Sequence, residues 1–502
     1  MRLSLQSAVA LASTPAVRAV ALSAIVWVSL FVYSHWVLWR NPHSAYFHSD
    51  NIYDLDYSVV RQNAGREYLQ QFSNPSANTS DVRLHASENP ALCVAFATVA
   101  RDHPDAARYF SDSIGSLLAG LSPQERASFN LTVLFANLDP NKHRDWNAPW
   151  VSALIDHAAG YEGISDAERA ELRRLEEARD FQRKGVLDYI YLLDQCYHST
   201  RAPFIAVFED DVIFAADWLA RTLVGLQTLA LPREDHVIQA APVDQTPWLY
   251  LRLFYTETFM MWEGDDDWLY GNMYLTFAIV SFTTATVLLL VRYMLLQRGS
   301  QGLPSHSTKS WTLGLRLDIP TIAAASLVIA PAFLALFFMA GKYSLPLYSL
   351  RREGDPTRPS RLADAGVYPM DKHGCCTQGL VFDRNQVPGL INRLRTLGRG
   401  QTDWMIEEYA TDVPLKRFAL GDQVLQHVGL ISSRGMKSVN AQSVYAFYFE
   451  EKREEEVKAK QEKALRGVDW AVFRALEPEG VADSGRGADG LKQGLGILPP
   501  LR

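Results

Sequence analysis

The stretch Phe204-Ile205-Ala206-Val207-Phe208-Glu209-Asp210-Asp211 joins an unbroken apolar run to three consecutive acidic residues. An apolar run without alternation is typical of a strand that is covered on both faces of a sheet. Two similar runs lie upstream, at Leu92–Thr98 and Leu131–Ala136. Strands that alternate with helices indicate a mostly parallel sheet. We therefore predict an α/β fold with helices on both faces, in which ligands bind beyond the carboxyl ends of the strands.

Other segments of the chain carry the patterns of helices and of one more strand. The predicted helices are Asp105–Leu121, Ala167–Ala178, Gly185–Cys196 and Val387–Leu397. Asp403–Tyr409 is a short helix or turn, and the further strand is Gly379–Phe382. Residues 41–90 are polar with little periodicity, so we expect a stem there.

Three long apolar segments interrupt this polar sequence. They are Ala19–Trp39, Trp268–Val291 and Ile319–Gly341, and the second and third contain no charged residue. Each is long enough to cross a bilayer, which takes about 20 apolar residues in a helix. A cleaved signal peptide is the alternative for the first, but the apolar core of such a peptide spans only about 7–15 residues. We therefore predict a retained anchor and a membrane hairpin, three transmembrane helices in all.

The loop charges predict the orientation of these helices. The linker Arg292–Asp318 carries four basic residues against one acid, and basic loops stay on the cytoplasmic side. Both long polar segments then face the lumen of the secretory pathway. Lys342, Arg351 and Arg352 break the rule on the luminal side, but a hairpin must return to the side from which it started.

The expected domain organisation follows from the spans. In chain order we expect a cytoplasmic tail (1–18), a signal anchor (19–39), a luminal stem (40–90), the first part of a luminal α/β domain (91–267), a transmembrane helix (268–291), a cytoplasmic loop (292–318), a transmembrane helix (319–341), the second part of the α/β domain (342–450), and a charged helix with a disordered tail (451–502).

Charge and cysteine content limit the partners and the compartment. The net charge of −7 argues against a nucleic-acid surface, which would be basic. The cysteines are Cys93, Cys196, Cys375 and Cys376, all in predicted luminal segments, where disulfides form. Four cysteines allow three connectivities. A bridge between adjacent residues is strained, so we expect Cys375 and Cys376 each to pair elsewhere. Asn78 begins an acceptor sequence for N-glycosylation.

The acidic triplet is a candidate metal site. In an extended backbone, residues i and i+2 point the same way, so Glu209 and Asp211 converge. A hard divalent cation such as Mg²⁺ or Mn²⁺ relieves the repulsion between clustered carboxylates and prefers oxygen ligands. The alternative is a solvated turn. A second triplet, Asp265–Asp267, lies beside a membrane span, and we interpret it as an interface cap.

A strand that ends in Glu-Asp-Asp resembles the DXD-type motif of GT-A glycosyltransferases. An anchor followed by such a domain, divided by a membrane hairpin, resembles one group among them, the post-GPI-attachment N-acetylgalactosamine transferases. The resemblance extends over roughly residues 15–450 and implies a GT-A-like, Rossmann-type fold. It further implies that Asp211 holds a divalent ion on the diphosphate of a sugar nucleotide. Glu209 would lie toward the ribose or the metal.

Other segments resemble parts of the nucleotide sites of related N-acetylhexosamine transferases. The residues that the resemblance implies for donor binding are Thr98, Arg101, Asp139, Lys184, Asp188, Glu209 and Asp210, and those implied for the metal are Glu209, Asp211 and His427. In this view Asp139 accepts from uracil or ribose, Lys184 offsets phosphate charge, and Asp188 orients Arg101 or the ribose. Three of these residues have simpler alternatives. Lys184 could be only a surface residue, Asp188 a charge at the N-terminus of a helix, and His427 a structural histidine.

The resemblance also implies inversion at the sugar carbon, so a carboxylate on the far side of the sugar must take the proton of the acceptor hydroxyl. Asp403 is the favoured general base, with Glu407 and Glu408 as alternates. Trp404 either stacks on a sugar face or belongs to the core.

The function predicted from the sequence is the transfer of a hexosamine, N-acetylgalactosamine in the favoured case, from a UDP-sugar to the glycan of GPI anchors. The predicted cofactor is a divalent cation, with Mn²⁺ favoured. The expected partners are a GPI-anchored protein or glycolipid acceptor and the membrane, and the expected location is the Golgi membrane with a luminal catalytic domain. The alternatives are an N-acetylglucosaminyltransferase acting on N-glycans and a non-catalytic membrane scaffold.

Overall fold

A computed structural model describes most of the 502 residues. The described residues are 14–39, 41, 44–47, 55–73, 86–104, 106–230, 247–256, 268–300, 317–341, 366–370, 376–431 and 444–476. Asn78, Asp265–Asp267, Cys375 and the predicted disordered tail beyond residue 476 lie outside them. The chain forms two compact units. The membrane unit comprises Met1–Ile52 and Glu257–Arg352, and the sheet unit comprises Tyr53–Thr256 and Glu353–Arg502.

The helices of the chain begin and end as follows: α1 Pro15–Val37, α2 Asp56–Gln71, α3 Tyr109–Leu118, α4 Pro123–Ala127, α5 Pro149–Leu154, α6 Asp166–Ala178, α7 Phe181–Ser199, α8 Trp218–Ala230, α9 Trp268–Gly271, α10 Met273–Ser300, α11 Ile319–Ala340, α12 Val387–Leu397, α13 Thr402–Asp412, α14 Phe447–Glu450, α15 Glu454–Arg466 and α16 Trp470–Ala475. Two short 3₁₀ turns, Pro140–Lys142 and Arg384–Gln386, complete the described helical elements.

The strands are β1 Leu92–Thr98, β2 Phe129–Phe135, β3 His157–Ala159, β4 Phe204–Glu209, β5 Val212–Phe214, β6 Trp248–Arg252, β7 Val367–Pro369, β8 Gly379–Asp383, β9 Lys416–Leu420 and β10 Leu425–His427. Eight of them form one sheet in the order β3-β2-β1-β4-β8-β6-β9-β7. The first four run parallel, β8 is antiparallel to β4 and β6, and β7 is antiparallel to β9. The mixed α/β architecture with a mostly parallel sheet confirms the predicted fold class.

Strand β1 shows why its sequence does not alternate. Leu92, Val94 and Phe96 pack into one hydrophobic core. Cys93 and Ala95, which point the opposite way, pack into a second core on the other face of the sheet. Because both faces are covered, every position of the strand before Thr98 is apolar.

Chain segments from both sides of the membrane hairpin build this sheet. Strand β8, which follows the hairpin, lies between β4 and β6, which precede it. A second, two-stranded sheet joins β5 to β10 in the same way, with His427 opposite Val212. The polar sequence before and after the hairpin therefore forms one folded unit.

The second core contains a disulfide between Cys93 and Cys196, with a Cα–Cα distance of 5.8 Å. The prediction that Cys375 and Cys376 each pair with one of these two cysteines is therefore wrong. Cys93 begins β1 and Cys196 lies near the end of α7, which packs on that face of the sheet, so the fold brings the two together. Cys376 is also disulfide-bonded.

Three helices of the membrane unit are long and apolar enough to cross a bilayer: Pro15–Val37, Met273–Gln297 and Ile319–Ala340. They match the three predicted spans and confirm three candidate transmembrane helices. Trp27 donates its indole N–H to the carbonyl oxygen of Ala332 at 2.8 Å. Phe338 packs against Tyr270 and Phe277. The anchor therefore packs against the hairpin within this unit.

Helix α2 lies where the sequence predicts a stem, yet it belongs to the sheet unit. Arg61 is only 2% exposed, and its guanidinium donates to the carbonyl oxygens of Phe214, Ser116 and Ala119 at 2.8–2.9 Å. Gly65 touches the backbone of α3, since a Cβ there would lie 2.6 Å from the carbonyl carbon of Gly115. The helix is therefore an integral part of this unit.

The charged C-terminal helices also pack into the sheet unit. Glu450 accepts from the Ser58 amide at 3.0 Å and from Gln426 Nε2 at 2.8 Å, which connects α2, β10 and α14. Val457 of α15 and Phe473 of α16 are buried in the first core.

The contact between Gly65 and Gly115 yields a test whose sign separates a packed helix from a free stem. In an exposed helix, Gly→Ala stabilises by about 1 kcal/mol. Here we expect Gly65→Ala to destabilise the protein by about 1–3 kcal/mol, because the new methyl group meets backbone atoms. Thermal unfolding of the detergent-solubilised protein measures the change. Asn63→Ala, on the exposed side of the same helix, is the control. A higher Tm for Gly65→Ala would contradict the packing.

Candidate functional site

The acidic triplet lies at the carboxyl end of β4, in the tight turn that leads into β5. Glu209 and Asp211 approach each other there, as the i, i+2 spacing predicts. Asp210 forms its contacts elsewhere, with Thr98 and Arg101. The three acids therefore divide between two environments.

His427 completes the cluster from the other side of the hairpin. Its strand, β10, pairs with β5, and the amide of Val428 donates to the carbonyl oxygen of Asp211 at 2.9 Å. One potential ligand atom from each of Glu209, Asp211 and His427 lies within 4.8 Å of the others. The structure therefore brings together the three residues predicted for the metal.

The chemistry of this cluster fits a divalent cation. Carboxylate oxygens suit hard divalent cations, and an imidazole nitrogen is a common ligand of first-row transition metals. Asp211 Oδ1 is buried and has no hydrogen-bond partner among the described residues, so it retains an open coordination position. A Cβ on Gly429 would lie 2.1 Å from Asp211 Oδ2 and 2.8 Å from His427 Nε2. Only glycine leaves this space free.

Asp211 and His427 also perturb each other electrostatically. Burial opposes ionisation of Asp211, but His427 and Arg101 hold its pKa well below the usual range. Burial likewise opposes protonation of His427, yet Asp211 raises the pKa of the imidazole above its ordinary value. The His427 Nε2–Asp211 Oδ1 distance is 3.6 Å. A histidine that binds a metal must be neutral, so an ion bound here would compete with a proton for this imidazole.

Asp210 fixes Arg101 beside the cluster. The Arg101 guanidinium donates to Asp210 Oδ1, and its Nη2 lies 3.5 Å from Asp211 Oδ2. It also lies 4.9 Å from the centre of the Tyr109 ring. Arg101 Nε and Nη1 are buried without a hydrogen-bond partner in the described part of the chain. The guanidinium thus keeps donor capacity beyond its ion pairs.

Thr98 and His143 extend this arrangement to β1 and the loop after β2. Burial lowers the pKa of His143 to about 4, so the ring is neutral near pH 7. The amide of Asp145 donates to His143 Nδ1 at 3.2 Å, which leaves the proton on Nε2. Nε2 therefore donates to the Thr98 hydroxyl at 3.0 Å, and that hydroxyl donates to Asp210 at 2.7 Å.

A cleft of about 460 Å³ opens beside these residues, beyond the carboxyl ends of β1 and β2. Arg101 and Asp210 line its inner wall, while Lys142 and Arg144 are exposed at its rim. The cleft is therefore lined by three basic residues, Arg101, Lys142 and Arg144, and by two acids, Asp102 and Asp210, next to the candidate metal cluster.

Lys184 and Asp188 lie in a buried network of their own, and this corrects their predicted roles. The Lys184 ammonium donates to the carbonyl oxygen of Ala136, to the Tyr161 hydroxyl at 2.7 Å and to Asp188 at 3.0 Å. Its three N–H donors are thereby used, so none is left for a phosphate. Asp188 binds Lys184 and Tyr161 rather than Arg101, which Asp210 orients instead.

Asp139 is exposed and caps the 3₁₀ turn after β2, where it accepts from the amide and the side chain of Asn141 at 3.1 and 3.0 Å. The structure does not bring it into the cluster of Glu209, Asp211 and His427.

The candidate base Asp403 lies at the start of α13. Its Oδ2 accepts from the amide of Cys376 at 3.1 Å, and its Oδ1 accepts from the amide of Trp404 at 2.9 Å. The next residue after Cys376, Thr377, donates to Glu209 Oε1 at 2.6 Å. Asp403 and the metal cluster are therefore connected through two consecutive residues.

The two alternates for the base differ in accessibility. Glu407 is 2% exposed and its carboxylate is bound by Tyr250, Arg252 and Arg417, so it cannot meet an acceptor. Glu408 is half-buried and accepts from the Trp404 indole at 2.8 Å. Asp403 remains the best of the three.

Several contributors to the site carry no sequence signal. Thr377, His143 and the Cys376 amide lie in loops that show no motif, and only the fold reveals what they bind. Gly429 is the exception. Its place two residues after His427 hints at close backbone packing.

A mostly parallel sheet with an acidic triplet at the carboxyl end of a central strand, joined by a histidine and bordered by a cleft, is the arrangement that the sequence resemblance implies for a glycosyltransferase. The family model described as GPI-N-acetylgalactosamine transferase PGAP4 matches residues 92–425, more than half of the chain, and the chain belongs to this family. The resemblance seen in the sequence is thereby confirmed. No curated protein matches the chain.

Removal of a cluster ligand tests the metal site directly. We expect Asp211→Ala and His427→Ala to weaken Mn²⁺ binding by more than about 10-fold, because even residues behind metal ligands contribute that much. Isothermal titration of the detergent-solubilised protein with Mn²⁺ measures the affinity. Glu177→Ala, which removes an exposed carboxylate from α6, is the matched control. Unchanged affinity in both ligand variants would show that the ion binds elsewhere.

Proposed function

We propose that the protein transfers N-acetylgalactosamine from a UDP-sugar to the glycan of GPI anchors, with inversion at the sugar carbon and with a divalent cation, Mn²⁺ in the favoured case. The observation that carries the proposal is the convergence of Glu209, Asp211 and His427 beside Arg101, in a chain of this family. A non-catalytic scaffold has no need for such a cluster.

Arg101 is the residue best suited to the donor diphosphate. Its guanidinium is held by Asp210, borders the cleft and has buried N–H groups without partners in the described chain. Charge-assisted hydrogen bonds from arginine to phosphate are among the strongest that proteins form. Lys142 and Arg144 at the rim add positive charge for a polyanionic donor.

Glu209, Asp211 and His427 are the residues that would hold the ion, which when bound supplies Lewis-acid stabilisation to a departing diphosphate. Thr377 and the backbone around it keep Glu209 in place through the 2.6 Å hydrogen bond. The Asp210–Thr98–His143 hydrogen-bond chain keeps Arg101 in place. These contacts reduce the reorganisation needed when the leaving group becomes charged.

Asp403 would act as the general base that takes the proton of the acceptor hydroxyl. Each of its oxygens accepts one backbone amide, which fixes the orientation of the carboxylate and leaves lone pairs for the proton. Trp404, 56% exposed and held by Glu408, offers a flat apolar face beside it for an acceptor sugar.

The membrane arrangement that we propose follows from the candidate spans and the basic linker between the second and third of them. The linker would be cytoplasmic, and the sheet unit would be luminal. The Golgi membrane is the location that the sequence resemblance implies.

Asp403→Asn tests the base. A general base contributes about 10²–10⁴ to the rate, so we expect the kcat of transfer to a GPI glycolipid to fall by that factor. Mn²⁺-dependent hydrolysis of UDP-N-acetylgalactosamine should fall far less, because the donor side is intact. Asp412→Asn, an exposed carboxylate on the same helix that pairs with Arg393 at 2.8 Å, is the control. Equal loss of hydrolysis and transfer would assign Asp403 another role.

Trp404→Ala tests the acceptor side. Loss of apolar contact worth about 1.4 kcal/mol should raise the acceptor KM by about 10-fold. The KM for the UDP-sugar should not change. Trp404→Phe, which keeps an aromatic face, should recover most of the affinity. If alanine and phenylalanine both behave as the wild type in transfer assays, the indole does not contact the acceptor.

A further inference from the structure

A buried ion network surrounds Glu407. Tyr250 OH donates to Glu407 Oε1 at 2.5 Å, Arg252 Nη2 donates to the same oxygen at 2.8 Å, and Arg417 Nη1 donates to Oε2 at 2.8 Å. Glu407 and Arg252 are 2% and 1% exposed. Burial of each ion costs several kcal/mol, and well-packed apolar residues are often as stable in such places. A contribution to folding stability therefore does not by itself explain why these ions are buried here.

One arm of the network reaches the backbone beside the site. Arg252 Nη1 donates to the carbonyl oxygen of Cys376. Cys376 has a φ of 82°, in the left-handed region that residues other than glycine rarely adopt. In this conformation the Cys376 carbonyl meets Arg252 while its amide meets Asp403 at 3.1 Å. The buried arginine thus holds the residue whose amide orients the candidate base.

The two following residues connect the same backbone to the metal cluster. Thr377 Oγ1 donates to Glu209 Oε1 at 2.6 Å, and the carbonyl oxygen of Gln378 accepts from the Glu209 amide at 3.3 Å. Residues 376–378, which we call the coupling segment, therefore contact Asp403 at one end and Glu209 at the other. Arg252 holds the segment through its hydrogen bond to the Cys376 carbonyl oxygen.

We propose that Arg252 and Glu407 are positioning residues that set Glu209 and Asp403 relative to each other through the coupling segment. Neither residue touches the substrate, and both act through the backbone. The inference rests on the proposed function, in which Glu209 holds the ion and Asp403 takes the proton. It gives Glu407 a role different from the catalytic one expected from the sequence.

Arg252→Lys tests the proposal, because a lysine keeps the charge but cannot reproduce the planar fork that joins Glu407 to Cys376. We expect Mn²⁺ affinity and the kcat of transfer each to fall by about 10- to 100-fold, the range found for residues that support metal ligands. The KM for UDP-N-acetylgalactosamine should change little. Titration calorimetry with Mn²⁺ provides the readout that is independent of activity.

Arg417→Lys is the matched control. Arg417 binds the other oxygen of Glu407 and also Thr411, but the described contacts do not link it to the coupling segment. A network that only stabilises the fold would make the two lysine variants alike in Tm, Mn²⁺ affinity and kcat, and this outcome would overturn the proposal. Wild-type Mn²⁺ affinity and kcat in Arg252→Lys would overturn it as well.

Thr377→Val keeps the proposal falsifiable if Arg252→Lys does not fold, because it removes the Glu209 contact without touching the buried ions. It should weaken Mn²⁺ binding, and unchanged binding would count against the coupling segment. Asp211→Ala in the same assays separates this inference from the proposed function. Mn²⁺ binding and transfer that survive Asp211→Ala would refute the metal site, and absence of transfer in the wild-type protein would refute the function itself, whatever Arg252→Lys shows.

Discussion

A short antiparallel pairing holds the candidate site together. It joins Val212–Phe214 to Leu425–His427 through three residue pairs. Neighbouring strands lie about 4.7–4.9 Å apart, so this pairing brings the side chains at its ends within reach of one cation. Asp211 immediately precedes one strand, and His427 ends the other. The sequence between them includes the whole membrane hairpin. The metal cluster can therefore exist only when the pieces before and after the hairpin are folded together.

Around this pairing, the three consecutive acids serve three different purposes. Asp211 faces His427 and carries a buried oxygen that has no hydrogen-bond partner among the described residues. Glu209 is tied to Thr377 and, through the coupling segment, to the candidate base. Asp210 is engaged by Thr98 and holds Arg101 toward the cleft. A sequence-adjacent triplet thus connects the candidate metal cluster, the candidate base Asp403 and Arg101 at the cleft.

The sequence predicted the elements that depend on local pattern. Strands with cores on both faces, such as Leu92–Thr98, and amphipathic helices such as Val387–Leu397 appear with nearly the expected bounds. The convergence of Glu209 and Asp211 also follows the expected i, i+2 pattern, while their role as metal ligands stays a prediction. Strands of three residues such as β5 were not found, since so short a segment has no measurable period.

The features that the sequence did not reveal depend on contacts between residues that are far apart in the chain. The buried face of helix α2 includes Arg61, which binds buried carbonyl oxygens, and Gly65, which packs against a backbone. Because neither residue is strongly hydrophobic, the hydrophobic pattern does not reveal that this face is buried. From its sequence context Lys184 is a candidate phosphate ligand. Only the structure shows that its three N–H donors already have acceptors within the protein. The disulfide partner of Cys93 depends on how α7 packs on the sheet. Such assignments require the fold.

The strand order also constrains how the protein folds. Among the described strands, β6 pairs only with β8 and β9, which follow the hairpin, and β4 lacks its β8 neighbour until residue 379 is made. The first part of the sheet therefore has an unpaired edge until the strands after the hairpin are synthesised, and such an edge is prone to aggregation. The Cys93–Cys196 bridge lies entirely in that first part. A loop of about 100 residues closed by a disulfide gains about 4.7 kcal/mol in the chain-entropy model. In an oxidising compartment this bridge can hold β1 and α7 together while the hairpin is made and the missing strands arrive.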